Sequence, residues 1–91
     1  MNEEKVLTQH PQGKSGRSIS RQAYETLKDA ILTVLRDREL TQAELMARLN
    51  EHLAGKFAGN ISWYGETVKL DLEARDVIER TGSKPQRYRV K

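Results

Sequence analysis

Three observations predict an α+β domain built of three helices and a C-terminal two-stranded hairpin. Apolar residues recur at spacings of three and four across residues 20–37 and again across 41–54, the period of a helix with one buried face. Residues 60–76 fit the same period and hold the only tryptophan, Trp63. Residues 77–91 alternate on either side of Gly82-Ser83-Lys84-Pro85, the composition of a turn.

A chain of 91 residues, 36% apolar and 32% charged, reads as one small soluble domain with a modest core. No run approaches the ~18 apolar residues of a membrane span, and no signal-peptide pattern opens the chain. The absence of cysteine excludes a disulfide framework and thiolate-ligated zinc. It also fits a cytoplasmic setting, which is the expectation without an address signal.

The net charge of +3 is unevenly spread. Residues 1–21 set Lys5, Lys14, Arg17 and Arg21 against Glu3 and Glu4, and residues 77–91 set Arg80, Lys84, Arg87, Arg89 and Lys91 against Glu79. The stretch 22–76 is net acidic. Basic ends on an acidic body say more than the total does.

Residues 1–18 read as a flexible basic arm. Pro11, Gly13, Gly16 and their polar neighbours cannot sustain a helix or bury much surface, although Val6-Leu7 can pin the arm to the core as a short edge strand. Gly13-Lys14-Ser15 matches the end of a phosphate-binding loop, G-x-x-x-x-G-K-[ST]. The position of its first glycine holds Thr8, and so short a chain has no room for a buried βαβ unit, so a nucleotide site is rejected.

The first helix starts at Ser20, a preferred N-cap, with Ile19 placed to staple onto Tyr24. Ala23, Leu27, Ala30, Ile31, Val34 and Leu35 form its stripe, and it ends near Asp37. The second opens with a capping box, Thr41-Gln42-Ala43-Glu44, buries Leu45, Met46, Leu49 and Leu53, and takes Gly55 as its C-cap.

In the third helix Tyr64, Val68 and Leu72 share a face with Ile61 and Gly65, while Trp63, Leu70 and Ala74 form a second stripe roughly 150° away. Glu66, Lys69, Asp71, Glu73 and Arg75 read as solvated charges in Lys69–Glu73 and Asp71–Arg75 pairs. A strand competes, because residues 68–75 alternate strictly. Leu, Glu, Ala and Arg favour the helix.

Helix, short link, capped helix, loop, helix and hairpin is the order of a winged helix-turn-helix. Leu72-Glu73-Ala74-Arg75-Asp76-Val77-Ile78-Glu79-Arg80 resembles the junction of recognition helix and wing in bacterial regulators, with Asp76 where glycine is usual. Aspartate tolerates the left-handed conformation needed there. His10-Pro11, Gly13-Lys14, Trp63-Tyr64 and the run from Val68 to Arg75 are also similar to a family of small bacterial winged-helix proteins that brings no activity with it. The resemblance implies a winged-helix domain over residues 19–91 behind the arm at 1–18.

It also implies duplex DNA as a partner, with the third helix in the major groove and the wing on the backbone. The candidate nucleic-acid contacts are Lys14, Arg17, Arg21, Lys69, Arg80, Lys84, Arg87, Arg89 and Lys91. Arg87, Arg89 and Lys91 fall on one side of a strand whose other side, Tyr88 and Val90, can face the core, and their spacing suits a row of phosphates. The third helix is net acidic, so weak sequence readout is expected.

The alternative is a protein-interaction module, a homodimer or assembly subunit, using Trp63, Thr67, Leu70 and Ala74 as its interface. His10 and His52 have no nucleophile or second ligand at useful spacing, so neither catalysis nor a metal is expected. No cofactor, small-molecule ligand or membrane partner is expected either.

Overall fold

The structure, a computed structural model, describes residues 4–91; residues 1–3 of the expected arm lie outside it. The first helix, α1 (Arg21–Leu35), starts where Ser20 accepts from the Ala23 amide, and its seven buried residues are the expected stripe plus Tyr24. It closes two residues earlier than expected, with Arg36 as C-cap and Asp37 in the left-handed region. The capping box forms in full at α2 (Gln42–Leu53): the Thr41 hydroxyl accepts from the Glu44 amide and the Glu44 carboxylate from the Thr41 amide. The hydrogen bond from the Thr41 amide, and after it the Thr41 side chain, hold the Glu44 carboxyl below its ordinary value. The C-cap is Ala54, and Gly55 sits one place beyond it at φ +72°, where a left-handed residue ends the helix.

Residues 61–74 are helical, not extended. In α3 (Ile61–Ala74) the Asn60 side chain accepts from the Trp63 amide, and Asp76, at φ 61°, supplies the left-handed residue after the helix. Alternation in the run from Val68 to Arg75 serves the helix on two flanks, because two of its charged residues are buried.

The three helices pack on one another, and Leu27, Ile31, Leu35, Leu45, Leu49, Val68 and Leu72 are fully buried between them. Gly65 lets α2 and α3 approach closely: a Cβ there would stand 3.0 Å from Leu49 Cδ1. Three short strands close the far side, β3 (Leu40–Thr41), β4 (Ile78–Arg80) and β5 (Arg87–Val90). They form an antiparallel sheet in the order β3-β5-β4, with Leu40 opposite Tyr88 and Glu79 opposite Arg89. The strand in the short link was not expected from the sequence, since two residues are too few to show a period. Tyr88 faces the core as expected, but Val90 is exposed.

The expected arm folds back on itself. Its strands β1 (Lys5–Leu7) and β2 (Ser18–Ser20) pair antiparallel, Val6 opposite Ile19, and pack against α1. Thr8 and Arg17 close the hairpin. The Thr8 amide donates to the Arg17 carbonyl at 2.9 Å, and the Arg17 amide to the Thr8 hydroxyl at 2.8 Å. Among the described residues no helix is long and apolar enough to cross a membrane.

Gly16 makes this closure possible. A Cβ at that position would lie 1.7 Å from the Thr8 carbonyl oxygen, an impossible approach to backbone. Gly16→Ala is therefore expected to open the hairpin while the helical core persists. In hydrogen exchange the Thr8 and Arg17 amides should lose protection, and those of Leu27 and Leu49 should keep it.

Candidate functional site

The site expected around α3 is shaped by how thoroughly that helix is covered. Of its residues only Ser62 and Trp63 are exposed. Ile61, Gly65, Val68 and Leu72 face the core, Glu66, Lys69 and Glu73 turn towards α2 and the sheet, and Asp71 turns towards α1 and the β1–β2 hairpin. A helix packed on three sides keeps only a narrow outward stripe.

Lys69 is not available to a nucleic acid, contrary to expectation. Its side chain is 2% exposed. The ammonium donates to Gln42 Oε1 at 2.8 Å, lies 3.3 Å from Glu66 and 3.8 Å from Glu73, and stands 4.2 Å above the Tyr88 ring. Glu73 is nearly buried as well, with Arg80 at 2.9 Å on its Oε2. The two charges pair as expected, but they are not solvated. A buried cation persists because anion, amide and aromatic face replace its water.

Asp71 is the corresponding group on the other flank. It has no exposure and accepts from the Tyr24 hydroxyl at 2.5 Å, the Gln9 amide at 2.9 Å and Arg75 Nε at 3.0 Å. Burial first, then the hydrogen bond and charge of Asp71, push the Tyr24 phenol up to about 12.

The other candidate cations divide into two sets. Arg21 pairs with Glu4 and Glu25, Arg80 with Glu73, Arg89 with Glu79 at 2.7 Å and Glu39 at 3.1 Å, and Lys91 with Asp76 at 3.5 Å. The row expected on the last strand is thus largely neutralised. Lys14, Arg17, Lys84 and Arg87 have no ion pair among the described residues, and they sit at or beside the tips of the two hairpins. The C-terminal tip is held by Thr81, whose hydroxyl accepts from the Ser83 and Arg87 amides at 3.3 Å.

Of the expected interface, Trp63 is 45% exposed and meets Tyr64 edge-on at 4.9 Å. Thr67, Leu70 and Ala74 are only half exposed. Thr67 and Leu70 border a cavity of about 170 Å³ whose other wall is the N-terminal hairpin: Thr8, His10, Ser15 and Arg17. The sequence assigned no site to Thr8, His10 or Ser15. Their one signal in the sequence is the pair of glycines around Lys14-Ser15.

Residues 5–88 match the family described as Family of unknown function (DUF6958). The chain belongs to that family. No curated protein and no solved structure matches the chain. The match covers the N-terminal hairpin, all three helices, β4 and the first half of β5, so the Lys69 and Asp71 contacts lie within the family's extent.

Removing the ammonium at Lys69 leaves Glu73 buried beside a void, so Lys69→Ala is expected to cost about 3–5 kcal/mol in urea unfolding. A loss below about 1 kcal/mol would show that the lysine is solvated. The folded-state pKa of Tyr24 is raised from 10.0 to about 12, so its contribution is fully present below pH 10 and lost as pH rises through 12. Tyr24→Phe should cost about 1–2 kcal/mol at pH 7 and flatten the decline in stability over that window. Equal declines in both proteins would rule out the Tyr24–Asp71 bond as its source.

Proposed function

We propose that this is a winged-helix domain that binds the phosphate backbone of nucleic acid through its two hairpin tips, without inserting α3 into a groove. The element order α1–β3–α2–α3–β4–β5, with the strand between α1 and α2 joining the C-terminal hairpin in one antiparallel sheet, supports the winged-helix assignment. The observation that carries the binding reading is the division of the cations. Arg80, Arg89 and Lys91 lie against carboxylates, whereas Lys14, Arg17, Lys84 and Arg87 have no ion pair among the described residues.

The hairpins bearing them flank α3, one at Asp71 and the other at Lys69 and Glu73. Such cations act by neutralising phosphates and releasing counterions, so affinity follows salt more than sequence. Coverage of α3 explains why base reading is weak on this view: its exposed end offers only Ser62 and Trp63. The role is one of binding, without catalysis, in the cytoplasm.

A second reading rests on Trp63, the only large apolar side chain of α3 that remains exposed. It serves a protein interface, either with a second copy or with another chain.

Fluorescence anisotropy on a mixed-sequence duplex at several salt concentrations separates the two. Four neutralised phosphates give a log–log slope of about −3.6, and Lys84→Ala with Arg87→Ala should bring it to about −1.8. Arg89→Ala should change it less, and Trp63→Ala not at all. Failure to bind at low salt would eliminate the nucleic-acid reading. Light scattering that finds a dimer in wild type and a monomer in Trp63→Ala would favour the interface.

A further inference from the structure

We infer that the cleft between the β1–β2 hairpin and α3 is a phosphate-binding site, formed by His10, Ser15 and Arg17 on one wall and Thr67 on the other. This deepens the nucleic-acid reading and rests on it for the source of the phosphate. The chemistry of the lining carries the inference. No carboxylate borders the cavity. Asp71, on the same flank of α3, is engaged by Tyr24, the Gln9 amide and Arg75.

Besides Leu70 and Gly16, the side chains at the cavity's border include several donors. The Arg17 guanidinium has no ion pair, and the Ser15 and Thr67 hydroxyls no hydrogen bond, among the described residues. His10 is constrained by its neighbour: Nδ1 accepts from the Gln12 amide at 3.1 Å, and a backbone amide can only donate. The proton of the neutral ring is therefore on Nε2, which makes that atom a donor. Guanidinium, imidazole N–H and two hydroxyls suit a group rich in acceptor oxygens and bearing negative charge.

Size selects within that class. At about 170 Å³ the cavity falls below the ~300–1,000 Å³ of sites for drug-sized ligands, so it suits a phosphoryl group and excludes an enclosed nucleotide. The frame is built for the purpose of holding both walls together. The Arg17 amide is fixed on Thr8, Gly16 admits the Thr8 carbonyl, and the Gln9 amide ties the hairpin to Asp71 beside Thr67.

The test is an amide-resolved NMR titration of the whole chain with inorganic phosphate, and with acetate at matched ionic strength. The expected result is saturable shifts at Thr8, His10, Ser15, Arg17 and Thr67. They should weaken at least tenfold in Arg17→Ala and severalfold in Thr67→Val, whose shape is kept, and persist in Lys56→Ala, an exposed lysine between α2 and α3 that does not line the cleft. Shifts that do not saturate, that acetate reproduces equally, or that survive both cleft substitutions would overturn the site. A mixed-sequence duplex in parallel identifies the source. Duplex binding that phosphate displaces from the cleft supports a nucleic-acid phosphate. Saturable phosphate binding with no duplex binding overturns the nucleic-acid reading and leaves the site. Duplex binding with no saturable phosphate overturns the site alone.

Discussion

A carboxylate with no solvent exposure, Asp71, joins three parts of the chain that local sequence would leave separate. It takes the Tyr24 hydroxyl from α1, the Gln9 amide from the N-terminal hairpin and the Arg75 guanidinium from the end of its own helix. An ionised group withdrawn from water persists only when such donors replace its hydration. Its oxygens must be met, so the hairpin is held where Gln9 reaches them, and the cleft beside Thr67 takes its shape from that position. The phenol that completes the set is held protonated to about 12 by burial and by Asp71 itself.

On the opposite flank Lys69 performs the reciprocal task with opposite sign. It gathers Gln42 from α2, Glu66 and Glu73 from α3 and the Tyr88 ring from β5. Removal of either charge would leave unpaired donors or acceptors in the interior, which is costlier than the pairing is favourable. With a buried anion on one side and a buried cation on the other, α3 acts as the strut between two hairpins. Its outward chemistry shrinks to its first turn. Lys14, Arg17, Lys84 and Arg87, at or beside the hairpin tips, are left without an ion pair among the described residues.

Local signals in the sequence were read with little loss. Ser20, the Thr41–Glu44 box and Asp76 act through bonds or backbone angles within a few residues of themselves, so their neighbours suffice to identify them. The helical period placed α1, α2 and α3, and Tyr88 faced inward as alternation required. An i,i+4 pair looks the same on an exposed face and a buried one, so the sequence alone does not distinguish a solvated Lys69 or Asp71 from a buried one. The partners that decide between them, Gln42, Tyr88, Tyr24 and Gln9, lie 19 to 62 positions away.

The helices, their N-caps, the C-terminal hairpin and the basic character of both ends are legible in the chain alone. Those follow from periodicity, turn chemistry and composition, which are properties of short stretches. Which charges are paired among the described residues, and which are not, is settled by long-range packing. It also turned an expected arm into a hairpin and set His10, Ser15 and Arg17 against Thr67 across one cleft. Burial and pairing depend on residues distant in the chain, and no local pattern records them.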